Sequence, residues 1–173
     1  MSLKNKKTAY VTAALFTAVI TFFSQIAIPL PVGVPVTLQI FAVALTGLVM
    51  GAKWGLASVS TYILLGAVGL PVFSSFRGGF QILLSHAGGF IWGFLSLVLL
   101  CGISVKFNLK GVKMAIALSG VLLCHLFGVL QYSLISNIAL FTSFVTISLP
   151  FLAKDFVLVI LAIYLSKKIK ITV

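Results

Sequence analysis

Long apolar segments follow one another along this 173-residue chain, with only short polar or basic breaks between them. Hydrophobic side chains make up 61% of the sequence and charged side chains 8%, whereas about a quarter of the residues in a soluble globular domain are charged. An apolar helix of about 20 residues is long enough to cross a bilayer. The sequence therefore predicts an all-α integral membrane protein, formed by one membrane domain over residues 1–173, and excludes ordinary soluble folds.

Six transmembrane helices are expected from the apolar segments and from the prolines, glycines and lysines that separate them. Their approximate bounds are 8–28, 37–50, 56–68, 81–105, 114–135 and 151–165. The basic residues before the first segment could open a signal peptide, but no small-residue cleavage pattern ends that segment. It is therefore expected to remain as a spanning helix.

The basic residues are unevenly distributed along these predicted helices. The chain has twelve Lys and Arg against one acid, which gives a formal net charge of +11. With the N-terminus in the cytoplasm, ten of the twelve fall on the inner side: Lys4, Lys6, Lys7, Lys53, Lys106, Lys110, Lys113, Lys167, Lys168 and Lys170. This bias predicts that both chain ends are cytoplasmic. Because the lysines lie at the ends of apolar segments, we interpret them as topology signals and contacts to membrane lipid, and exclude nucleic acid as a partner.

Three charged residues depart from this distribution. Arg77 and Lys154 are the outer basic residues, and Asp155, the one acid, lies beside Lys154 within the first turn of the last predicted helix. Ionisable groups in membrane segments cost about 2.5–3.5 kcal/mol each on insertion scales and are usually paired or functional. They predict an outer pocket in which the two cations hold an anionic group and the carboxylate accepts hydrogen bonds from N–H donors. The alternative is that Arg77 reaches lipid phosphate and the other two residues only cap a helix.

Further pocket candidates come mainly from the glycine-rich stretch 69–89. They are Gly78, Gly79, Phe73 and His86, together with Gln39 after the proline-rich loop. The glycines allow backbone to approach a ligand or a neighbouring helix closely. For the histidine and the phenylalanine, ordinary packing is the alternative to lining a site. For the glutamine, the alternative is a hydrogen bond between helices.

Catalytic and metal chemistry find little support in the sequence. One carboxylate side chain excludes mechanisms that need two acids, and the HExxH, GxSxG and Walker A motifs are absent. His125 has no second metal ligand within reach along the chain, so it is expected to form a neutral hydrogen bond between helices. We therefore expect neither an enzyme nor a metal site, and no cofactor.

Four motifs follow one another along the chain: IPLPVGVPVTLQIFAVALTGLVMG, LLGAVGLPVFSSFRGGF, HAGGFIWGF and LPFLAKD. In this order and spacing they resemble the motifs of the BioY family, the biotin-binding S components of energy-coupling-factor (ECF) transporters, and the resemblance extends from about Ala13 to Leu165. It implies a six-helix S component of the bacterial plasma membrane that captures biotin in an outward-facing pocket. It also implies two kinds of partner, a membrane T component and a pair of cytoplasmic ABC-type ATPases, which would drive toppling of the S component.

The resemblance also assigns roles to particular residues. It implies that Asp155 contacts the ureido ring of biotin and that Arg77 occupies the family's loop position before the glycine pair. The AxxxA pattern by which S components dock the T component is matched twice on the first helix. The matching residues are Ala9, Ala13, Ala14 and Ala18.

The sequence departs from the family pattern near the expected site. Many members have Pro-Gly before the aspartate and a lysine one turn after it, where this chain has Ala153–Lys154 and Leu158. Many also have Gly-Pro-Thr or Gly-Pro-Ser where this chain has Ser85–His86–Ala87. Lys154 is expected to supply the missing charge. Two alternatives stay open: an S component for another vitamin, and a structural membrane protein without a small-molecule site.

Overall fold

A computed structural model describes residues 6–169; Lys4 and Lys170, two of the predicted inner lysines, lie outside the described residues. The helices are α1 (Lys6–Gln25), α2 (Gln39–Ala67), α3 (Phe80–Leu83), α4 (Gly88–Ser104), α5 (Lys110–Ser136), α6 (Leu140–Ile147) and α7 (Leu149–Ser166). Two short antiparallel strands, β1 (Ala27–Ile28) and β2 (Val36–Thr37), connect α1 to α2. Among the described helices, α1, α2, α5 and α7 are long and apolar enough to cross a membrane, and α4 is a shorter apolar helix. The all-helical membrane fold predicted from composition is confirmed.

Helix α2 reverses its direction at Gly51, whose backbone has a φ of 74° and a ψ of 175°. In a straight helix, two residues eight positions apart are separated by about 12 Å. Here a Cβ built on Gly55 would lie 3.2 Å from the Cα of Gly47. Gln39 and Tyr62, near the two ends of α2, are joined by a hydrogen bond of 2.6 Å. The helix is therefore folded back on itself.

The two arms of α2 are residues 39–50 and 52–67. They correspond to the second and third helices expected from the sequence, which were placed at 37–50 and 56–68. A positive φ at the reversal is accessible to glycine without steric cost, because glycine has no Cβ. The sharp turn that separates the two predicted helices thus depends on a single residue.

Glycines also bring α4 close to both of its neighbours. A Cβ on Gly47, in the first arm of α2, would overlap the carbonyl oxygen of Val98 in α4. On the opposite side of α4, a Cβ on Gly93 would lie 2.7 Å from the Cα of Cys124 in α5. Small residues let the backbones of membrane helices approach one another. Helix α4 therefore forms the centre of the packing core, between α2 and α5.

The connections 26–38 and 68–87 lie at one end of the helices, which we call the loop end. Helix α1 ends at Gln25, three residues before the predicted bound, because β1 pairs with β2 instead of continuing the helix. The start of α7 is at the same end, since Lys154 Nζ donates a hydrogen bond to the carbonyl oxygen of Thr37 over 2.9 Å. This end holds most of the irregular backbone.

The opposite end of the molecule joins the beginning of α1 to the reversal of α2. The rings of Tyr10 and Trp54 pack edge to face there, with their centroids 5.1 Å apart. Lys53 Nζ lies 5.9 Å from the centroid of the Trp54 ring. Aromatic and basic residues of this kind are favoured where a membrane protein meets the lipid headgroups.

The fourth predicted helix, expected to run unbroken over 81–105, is interrupted. Helix α3 ends at Leu83, and α4 begins only at Gly88. Gln131 of α5 donates hydrogen bonds of 2.8 Å to the carbonyl oxygens of Leu83 and Ser85. These carbonyl groups thus have partners without a continuing helix. The prediction of one helix over this range is wrong, because the side chain of Gln131 on α5 stabilises the break between α3 and α4.

Helix α7 begins at Leu149, two residues before its predicted start. Pro150 lies in its first turn, where the missing N–H of proline would have no partner in the helix. Lys154 and Asp155 therefore lie in the second turn of α7 and not in the first, as the sequence had suggested.

Candidate functional site

A cavity at the loop end lies between α2, α4, α7 and the loops 29–37 and 68–79. Its polar lining consists of Thr37, Gln39, Tyr62, Ser74, Lys154 and Asp155, and its apolar lining includes Ile40, Phe73, Phe90, Ile91, Phe94 and Phe151. A concave site with an apolar wall and a few polar groups is typical of small-molecule binding. Four of the residues expected in a pocket line this cavity: Gln39, Phe73, Lys154 and Asp155.

Asp155 provides the charge at the centre of this site. The residue is only 3% exposed. One carboxylate oxygen accepts a hydrogen bond from Lys154 Nζ, and the other lies 3.1 Å from His125 Nε2. Burying an unpaired carboxylate costs several kcal/mol, and these two partners offset that cost. Because its hydrogen bonds go to side chains and not to backbone N–H groups of the first turn, Asp155 does not cap α7.

Lys154 connects α7 to the hairpin between α1 and α2. Its ammonium group donates to the carbonyl oxygen of Thr37 as well as to Asp155. An ammonium group has three N–H donors, so one remains after these two bonds. The side chain is 29% exposed, and the group lines the cavity. Lys154 can therefore still donate to an acceptor on a bound molecule.

His125 forms the interhelical hydrogen bond that the sequence predicted, and its partners lie on and next to α7. Nδ1 is 2.8 Å from the hydroxyl oxygen of Ser148, and Nε2 is 3.1 Å from Asp155. The ring of Phe90 packs edge-on against the imidazole, with centroids 5.4 Å apart. No local pattern connected this histidine with the cavity, because 30 residues separate it from Asp155.

Gln39 and Phe73 meet at Tyr62, which sequence reasoning missed. The side-chain amide of Gln39 donates to the Tyr62 hydroxyl oxygen over 2.6 Å. The Tyr62 and Phe73 rings pack at 78°, with centroids 5.4 Å apart. The Phe73 ring occupies the space that a Cβ on Gly66 would need. Both interpretations of Gln39 therefore hold, since it lines the cavity and also bonds between the arms of α2.

Arg77 lies outside the cavity, in a neighbouring cleft at the loop surface. Its side chain is exposed, and its guanidinium group turns back toward Ser74, with Nε donating to the carbonyl oxygen over 3.2 Å. Ser74 itself lines the cavity. The predicted arrangement, with Arg77 and Lys154 around a single anionic group, is therefore not the one in the structure.

Gly78, Gly79 and His86 also lie outside the cavity lining. Gly79 has a φ of 104°, and its N–H donates to the carbonyl oxygen of Gly66 over 2.7 Å. A Cβ on Gly78 would overlap carbonyl groups of the preceding turn. The His86 ring packs against Tyr132, with centroids 5.3 Å apart. These residues shape the loop, and the packing alternative describes His86.

Two polar residues at the end of α1 hold the loop that carries Phe73. The Ser24 hydroxyl donates to the carbonyl oxygen of Val72 over 2.6 Å, and the Gln25 amide donates to that of Phe73 over 3.2 Å. In return, the N–H of Phe76 donates to Gln25 Oε1 over 2.8 Å. The position of the Phe73 ring in the cavity wall thus depends on α1.

Replacing Gln25 with Ala is expected to loosen this loop without unfolding the helices. The N–H of Phe76 loses its acceptor, and one hydrogen bond contributes about 1 kcal/mol. Its amide should therefore exchange with solvent roughly 5- to 10-fold faster, as measured by hydrogen–deuterium exchange of peptides that cover 70–78. Gln81→Ala is the control, because Gln81 bonds only within its own turn, to Gly78. Equal exchange in both variants would contradict this role for Gln25.

The four alanines of α1 point in different directions. Ala9 is fully buried and Ala13 is partly buried, whereas Ala14 and Ala18 are exposed. The buried side faces the second arm of α2, where the Thr17 hydroxyl donates to a backbone carbonyl over 3.0 Å. Ala9 therefore has no surface to offer a partner, which corrects its predicted docking role. Ala14 and Ala18 form an exposed surface of small residues, which close packing of membrane helices requires.

Several residues of the site carried no recognisable signal in the sequence. Phe90, Phe94 and Phe151 line the cavity, but aromatic residues in an apolar helix look the same whether they face a cavity, a neighbouring helix or lipid. His125 did carry a signal, because an ionisable residue inside a membrane segment is costly and commonly functional. That cost marks His125 as a candidate but does not identify Asp155 as its partner.

Comparison with known proteins gives consistent results. Residues 1–173 match the family model described as "BioY family". A "Probable biotin transporter BioY" from Pyrococcus horikoshii is 34% identical over 91% of this chain and 93% of that protein. A "Biotin transporter BioY" from Rhodobacter capsulatus is 35% identical over 84% of each chain. A third relative, "Biotin transporter BioY" from Thermotoga maritima, is 49% identical over 85 residues, which span about half of each protein.

A solved structure is also similar over almost the entire chain. It is the crystal structure of the S-component for biotin from an ECF-type ABC transporter. The TM-score is 0.85, the sequence identity is 29%, and the match covers 97% of this chain and 93% of the other. The overall fold of this chain is thus similar to one that has been observed experimentally.

Proposed function

This chain belongs to the BioY family, and we propose on that basis that it is the S component of an ECF-type transporter and takes up biotin. It captures the vitamin in the cavity around Asp155. It is a multi-pass bacterial membrane protein and a transport subunit, and it is not itself an enzyme. ATP hydrolysis takes place in its partners.

One observation carries the choice of substrate: the one acidic side chain of the sequence is buried in an apolar cavity. Biotin has a ureido group with two N–H donors attached to a largely apolar ring system. Asp155 offers acceptor oxygens for these donors, and hydrogen bonds to a charged group contribute about 1.5–3 kcal/mol each. The aromatic wall formed by Phe73, Phe90 and Phe94 suits the apolar rings.

The cationic groups take different roles in this proposal. Lys154 remains close to Asp155, and its remaining N–H donates to an oxygen of the ligand. Arg77 acts at the loop surface, where an exposed cation attracts the carboxylate tail of an approaching biotin molecule. The exposed guanidinium and its position beside the cavity support this assignment. Gly78, Gly79 and His86 shape the connection 68–87, which also carries Arg77.

We propose that six helices cross the membrane, with the two arms of α2 counted separately and both chain ends in the cytoplasm. The tight reversal at Gly51 supports the count. The lysines at the turn between α4 and α5 and at the end of α7 support the orientation. The cavity at the loop end then faces the outside. The whole chain works as one membrane domain, with biotin as its ligand and no resident cofactor.

The implied partners are a membrane T component and two cytoplasmic ATPases. We propose that the T component packs against the exposed side of α1, where Ala14 and Ala18 allow a helix to approach closely. Tilting of the S component in the membrane, driven by the ATPases, would then deliver the captured vitamin to the inside.

The test is a binding titration of the detergent-purified protein with biotin, with other water-soluble vitamins as controls. We expect saturable, one-site binding of biotin and no heat of binding from the controls in isothermal titration calorimetry. Binding of a different vitamin in place of biotin would favour the first alternative, an S component with another substrate. Folded protein that binds none of them would favour a structural membrane protein.

A further inference from the structure

His125 is connected to the binding site but does not line it. Its imidazole is 3% exposed and contacts Asp155, but it is not among the residues that line the cavity. Nε2 lies 3.1 Å from one carboxylate oxygen of Asp155, and Nδ1 lies 2.8 Å from the Ser148 hydroxyl. The edge contact with the Phe90 ring fixes the plane of the imidazole. A ring held on three sides has a defined orientation.

The hydrogen-bond partners also decide where the proton of this imidazole lies. An ionised carboxylate only accepts hydrogen bonds, so Nε2 must carry a proton toward Asp155. Lys154 already supplies one positive charge for this one carboxylate, and a second buried cation would lack a counter-ion. The imidazole is therefore neutral. Nδ1 then has a free lone pair, which accepts a hydrogen bond from the Ser148 hydroxyl.

We propose that His125 is a positioning residue for substrate capture, held in its Nε2–H form by Ser148. Its N–H donates to the far oxygen of Asp155 and fixes the rotation of the carboxylate. Without this bond, Lys154 alone would hold the carboxylate of Asp155, and that carboxylate could rotate toward Lys154. With the bond in place, the remaining lone pairs of Asp155 face the cavity, where they accept hydrogen bonds from the N–H donors of a bound ligand. This role rests on the proposed function, because it concerns the same site.

The sequence permits a direct spectroscopic test, because Asp155 is its only Asp or Glu residue. Cell-free synthesis with aspartate labelled with ¹³C at the side-chain carboxyl, and with every other amino acid unlabelled, places a single carboxylate label in the protein, provided that the purification tag has no acidic residues. The position of its ¹³C signal reports the hydrogen bonds of that carboxylate. The chain also has only two histidines, so ¹⁵N spectra of the rings can be assigned with a His86→Gln variant.

We expect the wild-type ¹⁵N spectrum to show His125 as a neutral imidazole with the proton on Nε2. A proton on Nδ1, or a doubly protonated ring, would overturn the proposal without any reference to biotin. This measurement needs no variant of His125 or Ser148, so a folding failure cannot obscure it.

Binding variants supply the second test. His125→Phe keeps a planar ring but removes the donor, and we expect the Kd for biotin to rise roughly 10-fold or more, with a shift of the labelled carboxylate signal. His125→Gln keeps an amide N–H donor, and we expect it to restore most of the affinity and the signal position. Tyr164→Phe is the control, because it also keeps a planar ring while removing a polar group, at an exposed position outside the cavity lining; its Kd should equal that of the wild type. A merely structural role would make Gln no better than Phe.

The outcomes separate this proposal from the proposed function. If the wild-type protein does not bind biotin, the proposed function fails, while the ring tautomer and the carboxylate signal still test the positioning of Asp155. If the wild type binds biotin and a folded His125→Phe variant has the same Kd and the same carboxylate signal, the positioning role is overturned. If that variant does not fold, Ser148→Ala replaces it, and an unchanged Kd together with an unchanged His125 tautomer counts against the proposal.

Discussion

Replacing Asp155 with Asn is expected to raise the Kd for biotin by about 100-fold or more. The substitution keeps the shape of the side chain but removes its charge and replaces one acceptor oxygen with an NH₂ donor. That donor faces either the His125 N–H or the Lys154 ammonium group, which bond to the two carboxylate oxygens, and two donors cannot bond to each other. Loss of two charge-assisted hydrogen bonds corresponds to about 3–6 kcal/mol, and each 1.4 kcal/mol changes Kd tenfold.

Isothermal titration calorimetry of purified protein measures this change. Tyr164→Phe is the control on the same helix, because Tyr164 is exposed and lies away from the cavity. Its affinity should match that of the wild type. Thermal unfolding without ligand should accompany both titrations, since the loss of the carboxylate also leaves Lys154 without its counter-ion. A folded Asp155→Asn variant with wild-type affinity would remove the basis for assigning the ureido group to this carboxylate.

The second large effect is expected from Gly93→Leu, which should prevent α4 and α5 from packing. A Cβ on Gly93 would lie 2.7–2.9 Å from the Cα, the carbonyl oxygen and the sulfur of Cys124. Overpacking a core commonly costs 1–3 kcal/mol, and a clash with backbone cannot be relieved by a change of rotamer. We expect a loss of about 3 kcal/mol or more and a melting temperature roughly 10 °C lower.

Gly111→Leu is the matched control for this experiment. The same side chain is added at a glycine that has no neighbouring atom within 4 Å of the added Cβ. Its melting temperature should stay equal to that of the wild type or rise, because leucine favours a helix more than glycine does. Equal melting temperatures for the two variants would contradict the central position of α4 in the packing core.

The all-helical class and the approximate position of the long apolar helices followed from hydropathy, and one of the two breaks in the predicted helices could be foreseen from the sequence while the other could not. The reversal of α2 could be predicted, because Gly51 and Lys53 interrupt the apolar sequence between two segments. The break before Gly88 could not, because it is stabilised by hydrogen bonds from Gln131, more than 40 residues later in the chain. A local pattern contains no information about such a partner.

The site, like the fold, was predictable only in part, because contacts between distant parts of the chain decide where its side chains lie. Asp155 and Lys154 were identified because charged residues in an apolar segment are costly and therefore rarely accidental. Arg77 met the same criterion, yet it lies at the loop surface, where water solvates its charge. Whether a charge on a connecting loop points into a cavity or into solvent depends on how the loop is held, here by Ser24 and Gln25 at the end of α1.

The sequence by itself determined that the chain is a membrane protein, which family it resembles, and that its single carboxylate is its most informative polar group. The resemblance depends on motifs in the sequence. The other two conclusions depend on the transfer of side chains between water and lipid, which is a property of each residue and hardly depends on its neighbours. Only the tertiary structure decided that Asp155 lies between Lys154 and His125 in an aromatic cavity. That arrangement combines residues from α5 and α7 that are 30 positions apart, and hydrogen-bond geometry between them exists only once the helices have packed.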